Sequence, residues 1–113
     1  MRPVQVKGKY PESDKTDKQL YGYVGRLTQL HDEMVLAIPY FPVARDGIPP
    51  MFIAYMPRTA LKPHPRGFRC SPARFRNGGP QQRRDYSCFF DENGMKLLES
   101  PDWKNTMVTE KDE

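Results

Sequence analysis

Hydrophobic positions in this chain come in short clusters, separated by polar stretches rich in proline and glycine. Near the start Val4 and Val6 alternate with Gln5 and Lys7, the period of two expected of a half-buried strand. Pro11 to Gln19 is almost devoid of apolar residues and reads as a solvated loop. The following LYGYVGRL offers aromatic and β-branched residues for a second strand, with Gly22 and Gly25 marking curvature or a bulge. LTQLHDEMVLAIPYF fits two periods, because Leu27, Leu30, Met34 and Ile38 also fall on one helix face; its second half is read as a strand. EMVLAIPYFPV and MFIAYM flank the turn-forming ARDGIPP and predict a hairpin, in which Pro39, lacking an N–H, belongs at an edge or bulge.

A second hairpin is predicted from DYSCFF and MKLL on either side of DENG. There Asn93 and Gly94 supply the positive φ of a tight connection, and Tyr86, Cys88 and Phe90 share an inward face. Ser100, Pro101 and Asp102 read as the start of a short C-terminal helix that lays Trp103 over the core, and the final residues as an acidic tail. Together these elements predict a mainly β (or α+β) domain over residues 1–104, followed by a tail over 105–113. The strand count is that of a small five- or six-stranded antiparallel barrel, OB-like (oligonucleotide-binding) or SH3-like.

Composition narrows the picture. The chain has 113 residues, enough for one domain with a modest core. Twelve prolines and eight glycines argue for short elements and against long helices. No apolar run approaches a membrane-spanning length and MRPVQVKGKY lacks a secretory hydrophobic region, so the expectation is a soluble intracellular, cytoplasmic protein without membrane contact. Cys70 and Cys88 have no CxxC spacing and are expected as free thiols in such a compartment.

Charge changes the picture most. The net formal charge is +4, yet residues 58–84 hold seven arginines, Lys62 and no carboxylate, while the acidic side chains gather in the last third. This basic segment connects the two expected hairpins and is far longer than an ordinary loop, which points to a functional loop. Guanidinium groups pair with phosphate oxygens in a planar fork, and aromatic faces stack on unpaired bases. The segment interleaves both: Arg66, Arg69, Arg74, Arg76, Arg83 and Arg84 with Lys62 as phosphate contacts, Phe68 and Phe75 as stacking residues. Gly67, Gly78 and Gly79 allow close backbone approach, and Asn77, Gln81 and Gln82 offer hydrogen bonds to base edges. Tyr21, Tyr23, Lys7 and Lys9 are secondary candidates. The expected function is binding of single-stranded DNA or RNA without chemistry and without a cofactor. The alternative is a small adaptor or inhibitor that docks on an acidic protein surface, with MFIAYMP and PYFP as its apolar centre.

Catalytic readings are weaker. His31 beside Asp32 and Glu33 lacks the common face that acid–base work needs, and His64 sits between two prolines. The two histidines and two cysteines match no common zinc spacing, so no metal is expected. Cys70, among arginines, is expected to be the more reactive thiol, Cys88 a small core residue, and the acidic tail a competitor for the basic loop.

Overall fold

The computed structural model describes residues 3–11, 21–28, 30, 33–43, 45–76 and 79–106. Among them are eight short strands: β1 (Val4–Val6), β2 (Val24–Leu27), β3 (Val35–Tyr40), β4 (Phe52–Pro57), β5 (Lys62–His64), β6 (Gly67–Cys70), β7 (Ala73–Arg76) and β8 (Gly79–Gln82). One helix of nine residues, α1 (Asp91–Glu99), follows. The strands make three small sheets, in the orders β1-β3-β4, β2-β6-β5 and β7-β8. The protein is therefore mainly β, and among the described residues the sheets do not close into a barrel.

The first sheet holds the most hydrophobic stretches. β3 and β4 pair antiparallel from Val35 opposite Pro57 to Tyr40 opposite Phe52, as the hairpin expectation requires, and Gly47 in their connection takes φ +81°. β1 departs from an antiparallel scheme: it lies parallel to β3, Val4 opposite Val35 and Val6 opposite Ala37. That pairing makes β3 the central strand and puts Pro39 inside the sheet, against the expectation of an edge or bulge. The missing N–H is harmless on the β4 side, because Pro39 stands opposite Ile53, whose own N–H is spent on Asp91 Oδ1 at 3.0 Å. On the β1 side the Pro39 carbonyl accepts from Lys9 N at 2.9 Å.

The expected second hairpin is absent. Residues Arg84–Phe89 wind into a 3₁₀ helix and Asp91–Glu99 into α1. With three residues per 3₁₀ turn, Tyr86 and Phe89 eclipse each other and point into the core while Cys88 turns outward, which undoes the alternation assigned to this stretch. DENG opens the helix instead of turning a hairpin: Asp91 and Glu92 place negative charge in its first turn. Gly94 is required by contact and not by φ, since a Cβ there would stand 2.2 Å from the Phe89 carbonyl oxygen. The helix expected after Ser100 is a 3₁₀ turn, Trp103–Asn105, and its Trp103 is buried as anticipated. Thr59 Oγ1 donates toward the carbonyls of Lys104 and Thr106, fastening this turn to the fold.

The long basic segment is folded, not a loop. A 3₁₀ turn (Arg58–Ala60) leads into β5 and β6, and β7 and β8 form a further hairpin. Residues 21–27 carry all of this onto the core. Gly22 abuts Ala73, Val24 pairs with Cys70 and Leu27 with Phe68, so this stretch runs antiparallel along β6 and the start of β7. Its pairing slips between Val24 and Leu27, with Arg26 at φ +57°, the irregularity anticipated near Gly25. The backbones meet closely: a Cβ on Gly22 would lie 1.5 Å from the Ala73 carbonyl oxygen, and one on Gly67, at φ +119°, 2.3 Å from that of Leu27.

Tyr40 links the parts. It is fully buried, its ring tilts against Tyr21, Phe52 and Phe90, and its hydroxyl donates to the Gly22 carbonyl at 2.9 Å. Tyr40→Phe removes that buried hydrogen bond, so urea unfolding should show a loss of about 0.5–1.5 kcal/mol. A variant as stable as the parent would contradict the linking role. Gly22→Ala should cost more, because its Cβ collides with backbone that has no room to yield.

Candidate nucleic-acid interface

Strand alternation sorts the basic segment into two faces. In β6, Phe68 and Cys70 turn toward β2 and the core, leaving Arg69 on the opposite side with its partner across the pair, Lys62 of β5. In β7, Ala73 and Phe75 turn inward, Phe75 opposite the buried Pro80, and Arg74 and Arg76 take the other side with Gln81 and Gly79 opposite them. Lys62 stands directly across from Arg69, which puts two cationic side chains on one face of the pair.

The remaining arginines surround these rows. Arg66 is exposed in the turn between β5 and β6, where its N–H donates to His64 Nδ1 at 3.0 Å. His64 is thereby engaged in holding the turn, with Nδ1 as an acceptor. Arg69 Nε donates to the Pro63 carbonyl at 3.3 Å, which steadies that side chain against its own hairpin. Arg83 is half-buried, its N–H bonded to the Pro72 carbonyl at 2.9 Å, and Arg84 is exposed at the head of the 3₁₀ helix. Residues two apart on a strand stand about 6.6–6.8 Å apart, close to the repeat of phosphates along an extended single strand.

The aromatic residues sit differently from the expectation. Phe75 packs edge-on against Tyr21, ring centroids 5.1 Å apart, and Phe68 packs against the core beneath the Arg58 guanidinium, 5.8 Å from its ring centroid. Both are half-buried and pin their hairpins in place. Tyr21 is buried, and its hydroxyl donates to the Phe41 carbonyl at 2.6 Å; Tyr23 is half-buried. Lys7 is exposed and Lys9 half-buried beside Tyr40. The exposed aromatic surface lies elsewhere, at Tyr10, whose ring stacks on Phe41 at 4.4 Å with an interplanar angle of 5°. Nothing in the sequence marked that pair, because the two residues lie far apart along the chain and only the parallel pairing of β1 unites them.

The thiols exchange their expected roles. Cys70 is buried, and desolvation pushes its thiol up to about 12 despite the influence of Lys9, so the arginine-rich surroundings do not activate it. Cys88 is the exposed one. Asn77 and Gly78, His31 and Asp32, and residues 107–113 of the acidic tail lie outside the described residues. Among the described residues no group of three or more His, Cys, Asp or Glu side chains is placed to hold a metal ion, and no helix is long and apolar enough to cross a membrane. No family model, curated protein or solved structure matches the chain.

Thiol titration tests the exchange: a disulfide reagent at neutral pH should modify Cys88 at once and Cys70 only on unfolding, and the reverse order would refute it. The buried acids also set a pH limit. Burial raises Cys70 above its ordinary value near 9 and raises Tyr21, Tyr40 and Tyr86 above theirs near 10. The unfolded chain therefore releases these protons first, and stability present below pH 9 is lost progressively as pH rises to about 12 and beyond. Urea midpoints should fall over that range, and Cys70→Ala should delay the onset.

Proposed function

We propose that the outer faces of β5–β6 and β7–β8 bind single-stranded nucleic acid along its phosphate backbone, without catalysis. The observation that carries this reading is the concentration of cations on paired strands: Arg69 and Arg76 are exposed and Lys62 and Arg74 half-buried on the faces opposite the inward residues, in a segment, residues 58–84, with no carboxylate of its own. Arginine supplies a planar fork for phosphate where a solvated surface would be served equally by lysine. Arg66 and Arg84 are exposed as well. Phe68 and Phe75 serve as supports that fix the hairpins, and Gln81 adds a hydrogen-bonding group on the same face as Arg74.

The adaptor alternative loses its apolar half. Phe52, Ala54 and Met56 of MFIAYMP are buried in β4, and Tyr40 of PYFP is buried as well, which leaves Met51 as the exposed large apolar residue of the first run. An acidic protein surface would meet cations with little apolar surface at their centre.

Fluorescence anisotropy of labelled single-stranded DNA, single-stranded RNA and duplex across a salt series tests the proposal. Affinity for a single strand should fall log-linearly with salt. The double variant Arg66→Ala, Arg76→Ala, which alters two exposed side chains, should reduce that slope by about 1.4, or about 0.7 per lost phosphate contact. Absence of binding to all three polymers at low salt sinks the proposal, and stronger binding to duplex than to either single strand redirects it.

A further inference from the structure

The Tyr10–Phe41 stack lies beside a cleft of about 360 Å³ lined by Tyr10, Phe41, Arg45, Asp46, Gly47 and Ile48. Two strands assemble it. Lys9 bridges to Tyr40 in parallel register, Lys9 N donating to Pro39 O and Phe41 N to Lys9 O, both at 2.9 Å, so the next residue of each segment brings its ring against the other. Gly8 gives the Tyr10 ring room: a Cβ there would crowd it at 3.2 Å and make ordinary contact with Phe41 at 3.6 Å. The connection between β3 and β4 supplies the opposite wall, and a Cβ on Gly47 would meet nothing within 4 Å, so the backbone there is open to close approach. Tyr10 keeps 48% of its surface exposed, a large share for an aromatic ring already stacked on one side.

We propose that this cleft receives one unpaired base of the strand held by the arginines, stacked on the Tyr10 ring. The inference rests on the nucleic-acid reading above and adds to it the site of base recognition. Three observations support it. The first is chemical: a flat aromatic platform, the guanidinium of Arg45 for an adjoining phosphate, and the carboxylate of Asp46 as acceptor for the amino groups of bases occur around one opening. The second is the continuity of the path. From Phe75 on β7 the Tyr21 ring is 5.1 Å away, Tyr21 bonds to the Phe41 carbonyl at 2.6 Å, and the Phe41 ring lies 4.4 Å from Tyr10. The cleft is thus joined through Tyr21 to the inward face of the basic hairpin, whose arginines lie on its other side. The third is that Phe68 and Phe75 are both occupied in packing, so the exposed aromatic ring left to stack on a base is Tyr10.

Salt-series anisotropy on an oligonucleotide and on a strand of the same length made of abasic residues separates stacking from charge. Tyr10→Ala should weaken the base-bearing strand about tenfold or more, leave the salt slope unchanged, and leave the abasic strand unaffected. Tyr10→Trp, which keeps a platform, should bind the base-bearing strand at least as well as Tyr10→Phe. Far-ultraviolet circular dichroism on each variant checks that the fold persists. Equal loss on both strands, or no loss on either, overturns the base site while the arginine-dependent slope still upholds the nucleic-acid reading. Failure of the parent protein to bind either strand overturns both.

Discussion

A phenol buried without water must find an acceptor, and in this molecule the constraint falls on Tyr40. Its ring occupies the junction of Tyr21, Phe52 and Phe90, and its hydroxyl reaches the carbonyl of Gly22. Gly22 begins the run of backbone on which the two basic sheets are laid, touching Ala73 at one end while Leu27 meets Phe68 at the other. One hydrogen bond thus couples the apolar three-stranded sheet to the cationic half of the protein. Moving that bond by a residue would shift the arginine rows relative to the core. The glycines at 22 and 67 keep β6 and β7 close to this run, because a side chain at Gly22 would strike Ala73 and one at Gly67 would strike Leu27.

Charge and packing are separated by strand geometry. A period of two sends Phe68, Cys70, Ala73 and Phe75 inward and Arg69 and Arg76 out to solvent, so the alternation that anchors the segment also exposes those two cations, while Arg74 stays half-buried. A disordered loop of the same composition would bring equal charge to a polyanion but would have to lose its freedom on binding. Paired strands bear that entropy cost during folding, and the pairing fixes the backbone positions from which the arginines project.

Much of the fold was legible where the period was clean. Val4 to Val6 and the β3–β4 hairpin follow from alternation and turn chemistry alone, and the concentration of arginine is visible at once. The failures share a physical cause. Asn93-Gly94 has the chemistry of a hairpin turn, yet Gly94 is there to clear Phe89 and Tyr55, and local turn signals cannot report a tertiary contact. DYSCFF alternates like a strand, but in a 3₁₀ helix residues three apart share a face, which carries Phe89 inward and Cys88 out. ARFR was legible as interleaved charge and aromatic; that its Phe75 faces Tyr21 depends on a partner strand whose position no single-sequence pattern fixes. Cys70 is a further instance, since its chemistry follows burial and not its charged neighbours in sequence.

The parallel alignment of β1 with β3 has a kinetic side. Hairpins such as β3–β4 and β7–β8 close over short spans of chain, whereas β1 meets a strand some thirty residues away, a separation of the kind that raises contact order and slows docking. β1 is also thinly covered, with Val4 and Val6 left 55% and 62% exposed. The N-terminal strand is accordingly the natural last piece to join and the first to peel away. Because Tyr10 reaches Phe41 only through that docking, the aromatic stack reports completion of the fold: a chain that has lost its first strand keeps its cations and loses its platform.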